Sequence, residues 1–186
     1  MTDNFEHGLK VWFLNLMELY TLPPDSMKGW MHVEPESLIL VNLEPGPRYA
    51  RTFIGKNGSH VGSVRTFMNF VAARHNVRVR LNLRTDDQPA RNIPETNNPD
   101  WNRQLFEDWI MLTCGLLGVN HQEYTLEDKG DSGMSVYTLR ILLFEIKESS
   151  RTIHKETIRR ALDCIKTLAV PIGKCQGHLL ELTYDL

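Results

Sequence analysis

Four consecutive residues, Gly55-Lys56-Asn57-Gly58, carry the chemistry most easily read from this chain. Glycine lacks a Cβ and adopts left-handed backbone freely, so two glycines around two polar residues can present backbone N–H groups with no side chain in the way. Lys56 puts an ammonium at the tip, and Asn57 and Ser59 add neutral donors. Asn57-Gly58 taken alone signals a hairpin turn. However, Val61, Val64, Met68, Val71 and Ala72 follow at the spacing of one helix face, so the loop is expected to open a helix. Unpaired N–H groups at a helix N-terminus, together with the helix dipole, attract anions, and phosphate is the natural guest. The loop fits neither GxxxxGK(S/T) nor GxGxxG, and those motifs follow a strand, whereas a short helix is expected before this loop. The mismatch argues against nucleotide hydrolysis and leaves a loop that clamps a chain of phosphates.

The surrounding charge suits that guest. Net charge is −2 over 186 residues, but the charges are segregated. Arg48, Arg51, Lys56, Arg65, Arg74, Arg78, Arg80 and Arg84 fall in 48–84 with no Asp or Glu among them. Residues 1–47 carry 2 basic against 7 acidic groups, and residues 85–186 carry 11 against 16. A basic stretch inside an acidic protein is the footprint a phosphate backbone would meet. The alternative is a basic face that pairs with the chain's own acidic parts.

The elements that must hold the loop follow from hydrophobic spacing. A composition of 41% hydrophobic and 24% charged residues is that of a globular protein with a sizeable core. No run reaches the ~18 apolar residues that cross a bilayer, and the N-terminus has no secretory pattern. Cys114, Cys164 and Cys175, an odd number without CxxC, favour reduced thiols and a cytoplasmic location. Phe5, Leu9, Trp12, Phe13, Leu16 and Leu19 predict a helix over 5–20, and MKGWMHV and SLILVNL predict a hairpin. A short helix from Pro47 to Ile54, the glycine loop, a helix over 59–74 and a strand over 77–83 complete the order α-β-β-α-α-β. Residues 84–100, RTDDQPARNIPETNNPD, read as a linker. Beyond it, a helix over 101–117 capped by Asn98 or Asp100, two strands, a helix over 153–169 and a strand over 178–186 give α-β-β-α-β. The near repetition predicts an α+β protein of two related units, residues 1–84 and 101–186, joined by 85–100.

The stretch RTFIGKNGSHVGSVRTFMNFVAARHNVRVRLNL resembles the core of a KH domain, with Ile54-Gly55-Lys56-Asn57-Gly58 at its IGxxG signature. The order of elements is similar to the type II arrangement of small stand-alone bacterial KH proteins, over residues 5–84. The resemblance implies a single-stranded RNA partner such as mRNA. Gly55, Lys56, Asn57 and Gly58 would then hold the sugar-phosphate chain of about four nucleotides. It also implies a base groove with Ile54, Val61 and Val64 in its wall, and phosphate contacts from Arg51, Ser59 and Arg65. The tandem as a whole also resembles RNA-binding proteins of nucleus-forming jumbo bacteriophages. That likeness would place the chain in an infected host's cytoplasm, acting on RNA at the phage nucleus.

The second half departs from the pattern. Where a GxxG loop would fall it reads KESSRTIHKETIRR, with no glycine pair, and is expected to be a degenerate KH-like unit. Lys147, Arg151, Lys155 and Arg159 recur every four residues, a stripe that serves as a solvated face, a second nucleic-acid surface or a protein interface. Gly173-Lys174-Cys175-Gln176-Gly177 is expected after the helix, with the wrong spacing for a clamp. Cys175, His178, Cys164 and His154 lack the second close pair a zinc site needs, so no metal, cofactor or catalytic set is expected. Trp12, Trp101 and Trp109 lie on apolar helix faces and are expected in the core, while Trp30, in an early strand, is left open as a stacking surface. The competing class is a protein-interaction adaptor that keeps the KH fold as a scaffold.

Overall fold

A computed structural model describes residues 2–20, 27–34, 38–46, 50–84, 102–118, 120–128, 136–144, 155–175 and 179–185. Helix α1 (Thr2–Leu19) leads into strands β1 (Met27–Glu34) and β2 (Leu38–Pro45). A short helix α2 (Ala50–Ile54), a 3-10 turn over Lys56–Gly58, helix α3 (Ser59–Arg74) and strand β3 (Arg78–Leu83) follow. Then come α4 (Arg103–Leu117), β4 (Asn120–Asp128), β5 (Val136–Phe144), α5 (Lys155–Cys175) and β6 (Leu179–Asp185), so the chain is α+β. The strands make two three-stranded sheets, ordered β1-β2-β3 and β4-β5-β6. In each, the middle strand pairs antiparallel with its hairpin partner and parallel with the strand that returns after a helix. A parallel return requires a crossover, which α2 and α3 supply in one sheet and α5 in the other.

Residue periodicity explains how these elements pack. Ile39, Val41 and Leu43 of β2 are buried, while Leu38, Leu40 and Asn42 between them are half-buried. One face of the first sheet therefore lies on the core and the other is turned away from it. Helix α1 packs on α4, and α3 on α5, so the helices join the two sheets. Trp12 of α1 stacks on Phe67 of α3 at 4.5 Å and on Trp109 of α4 at 5.8 Å between ring centroids. Its Nε1–H donates to Thr113 Oγ1 at 2.8 Å, and Thr113 donates in turn to Trp109 O at 2.8 Å. Buried side chains from Phe5 to Leu182 form one continuous cluster. The expected linker thus separates two sheets without separating two cores; residues 85–100 themselves lie outside the described residues.

Two element boundaries differ from the sequence expectation. Asn102, rather than Asn98 or Asp100, caps α4, its Oδ1 accepting from Leu105 N at 3.0 Å. An asparagine three residues before an unpaired helical N–H has the reach a cap needs. Trp101 falls outside the described residues. Helix α5 does not stop before Pro171 but runs through it to Cys175, so Gly173, Lys174 and Cys175 are helical rather than in a loop. Proline removes one helical hydrogen bond, yet Ile172 and Gly173 beyond it are buried, and tertiary packing holds the last turn. No described helix is long and apolar enough to cross a membrane.

Candidate nucleic-acid interface

The glycine loop is built by its backbone. Helix α2 ends with Gly55 N donating to Arg51 O at 2.9 Å, and Gly58 N then donates to Gly55 O at 3.1 Å. Gly55 sits at φ 75° and ψ 172°, a region essentially closed to other residues, and Asn57 at φ 55° is left-handed. Gly58, at φ 77° and ψ 15°, precedes α3, whose N-terminus no side chain caps.

The two glycines serve different purposes. A Cβ on Gly55 would stand 2.5 Å from His60 Cγ, whereas one on Gly58 would meet nothing within 4 Å. Gly55 therefore lets the loop settle onto His60, and Gly58 leaves its outer surface open. His60 is itself anchored: Nδ1–H donates to Thr52 O at 2.9 Å, the carbonyl being able only to accept. Its ring also lies 6.3 Å from that of Tyr20. Sequence reasoning missed His60, because no spacing rule marks a histidine two residues past a glycine. Its place follows only from the backbone conformation of Gly55.

The remaining expected residues divide into three groups. Lys56, Asn57, Ser59, Arg51 and Arg65 are exposed, and Ile54 is half-buried beside them. Val61 and Val64, expected in a groove wall, are 5% and 0% exposed and belong to the core cluster. The helical spacing that marks them as one face turns that face inward, onto the core. A groove lies further along α3, against β3. It has a volume of about 200 Å³ and is lined by Arg65, Met68, Asn69, Val79, Arg80 and Leu81. Arg65 Nη2 reaches Leu81 O across it at 3.5 Å. In its sheet β3 is an end strand, so its outer edge borders this groove.

No protein-family model matches the chain, and no curated protein matches it.

Other basic residues of the acid-free stretch have different surroundings. Arg74 points away from the loop, donating from Nη1 to Leu116 O at 3.4 Å at the C-terminus of α4 and packing over Gly118. Arg78 and Arg80 are exposed on β3, and Arg48 lies outside the described residues. Of the four-residue stripe, Lys147 and Arg151 lie outside them too, Lys155 begins α5, and Arg159 is exposed. Acidic residues share α5: Glu156 accepts from Arg160 Nε at 3.2 Å, and Asp163 Oδ1 accepts from Tyr184 OH at 2.7 Å.

The thiols are not poised as nucleophiles. Burial pushes Cys114 up to about 12, and burial with the nearby Asp163 carboxylate pushes Cys164 up to about 11. Cys175 is raised by burial as well. Thiols so shifted stay protonated near neutral pH and lack the thiolate that reacts.

Proposed function

We propose that the chain is a non-enzymatic, cytoplasmic RNA-binding protein of two KH-like units, the first of which clamps the backbone of a single strand in its Gly55–Gly58 loop. The observation that carries this reading is the open approach to Gly58, between exposed Lys56 and an uncapped helix start, beside a groove flanked by Arg65 and Arg80. Phosphates would lie on the loop, within reach of Lys56, Arg51 and Ser59. Bases would rest on Val79 and the side-chain stems of Arg65 and Arg80, above the buried Met68, with the exposed Asn69 amide at hand for a base edge. A groove of about 200 Å³ suits splayed single bases rather than a duplex.

A constant sequence interval supports the two-unit part. Leu9, Trp12, Phe13 and Leu16 of α1 stand at the same distance from Phe106, Trp109, Ile110 and Thr113 of α4, all buried. The same interval relates Val64, Met68, Val71 and Ala72 of α3 to Ala161, Ile165, Leu168 and Ala169 of α5, also buried. Matched strand order in the two sheets points the same way. The second unit lacks the glycine pair and serves the first as a packing partner.

Replacing Lys56 and Asn57 together by Asp tests the clamp, since it sets two carboxylates at the phosphate site and leaves both glycines in place. Binding of a single-stranded RNA oligomer should weaken tenfold or more at low salt, and the parent's affinity should fall steeply as salt rises. Parental affinity in the double variant would end the clamp reading. Recovery of a protein partner by both chains, with RNA bound by neither, would favour the adaptor.

A further inference from the structure

We propose that the outer face of the first sheet is a second single-strand contact surface, on which the Trp30 ring stacks a base of the same nucleic acid that the loop holds. This rests on the RNA-binding reading above. Trp30 is 45% exposed, unlike Trp12 and Trp109, which are fully buried. Cross-strand register explains why. Trp30 pairs with Asn42, and Asn42 with Asn82, in a row on the face opposite Ile39, Val41 and Leu43.

The neighbouring row on that face runs His32, Leu40, Arg80, with His32 and Arg80 exposed. Arg80 also lines the groove between α3 and β3, so groove and outer face are continuous around the edge of β3. From β3 to β1 is two strand spacings, roughly 10 Å. A strand leaving the groove therefore meets Arg80 first and Trp30 shortly after.

The chemistry of the face favours a nucleic acid over a protein. The exposed indole shares its face with Asn42, Asn82, His32 and Arg80, and with the half-buried Leu38 and Leu40, and an aromatic plane beside amides and a guanidinium is what a stacked base needs. Beside it, Asn82 Nδ2 donates to Asn42 Oδ1 at 3.0 Å, which fixes two amides that can also address a base edge. Arg78 and Arg80 are exposed along β3, whereas the acidic residues of β1 and β2, Glu34 and Glu44, stand at opposite ends of the face. The charge in its middle is basic.

The test uses the full chain and single-stranded oligouridylates of about four and about ten nucleotides at one salt concentration. Trp30→Ala should leave the affinity for the short oligomer within about twofold and weaken the long one about tenfold, the loss of one base–aromatic stack. Trp30→Phe should restore most of that loss, and the Lys56→Asp, Asn57→Asp chain should bind both oligomers weakly. Parental binding of the long oligomer by Trp30→Ala, with the loop variant still impaired, would overturn the stacking surface and leave the clamp standing. Parental binding of both oligomers by the loop variant would instead overturn the clamp, and the shared strand with it. A change of oligomeric state in Trp30→Ala by sedimentation, without a change in RNA affinity, would reassign the face to self-association.

Discussion

At the scale of single residues, the loop separates conformational need from ligand access. Gly55 needs both its backbone region and the space that a Cβ would take from His60, so Gly55→Ala should lower the free energy of unfolding by roughly 2–3 kcal/mol. Gly58 needs only a left-handed backbone, and asparagine, unlike alanine, adopts it at little cost. Gly58→Asn should therefore unfold in urea within about 1 kcal/mol of the parent, while its side chain fills the open approach and lowers RNA affinity. The pair of measurements decides the matter: a Gly58→Asn chain with parental stability and parental affinity would show that no ligand approaches there.

At the scale of elements, helix α4 is tied to α1 by a buried hydroxyl as well as by the stacking of Trp12 on Trp109. Thr113 is 1% exposed and accepts from the Trp12 indole, so Thr113→Val keeps the shape but leaves a buried N–H without a partner. Thermal and urea unfolding should show a loss of about 1–3 kcal/mol, with Thr113→Ser close to the parent. Neither this bond nor the stack it supports was legible in the sequence, because a contact between residues 12 and 113 leaves no local pattern. The helices themselves were legible, since Trp12, Leu16 and Leu19, or Val64, Met68 and Val71, repeat at helical spacing whatever they pack against. At Val61 and Val64 helix periodicity reports which side is apolar, and their burial in the core follows only from what packs on that side. Sequence reading failed at Pro171, where local chemistry predicts an end and the burial of Ile172 overrides it. The glycine loop was legible as a turn into a helix, but its brace, His60, became visible only with the backbone angles of Gly55. The groove residues Met68 and Val79 are brought together by β3 pairing beside α3, a tertiary fact.

At the scale of the whole molecule, one core cluster spans both halves, and the buried acids in it give stability a pH dependence. Cys114, on the buried side of α4, is 1% exposed, and burial raises its thiol from 9.0 to about 12. Tyr20, also in the core, has its hydroxyl raised in the same direction, first by burial and then by Cys175. Both groups stay protonated in the folded chain at a pH where the unfolded chain releases its protons, so the unfolded state binds fewer protons. Stability is then unaffected by the Cys114 thiol below pH 9 and falls as pH rises from about 9 towards 12. Thermal midpoints recorded at intervals through that window should drop with a steeper slope in the parent than in Cys114→Ala, whatever the offset between the two at neutral pH. Because α1 and α4 share Trp12 and Trp109, helix loss by far-ultraviolet circular dichroism and tryptophan fluorescence should report one coincident transition at each pH. Two separated transitions would mean that the sheets unfold independently and that the helical interface contributes little. Equal slopes in parent and variant would mean that the Cys114 thiol is not what the folded chain protects from ionisation.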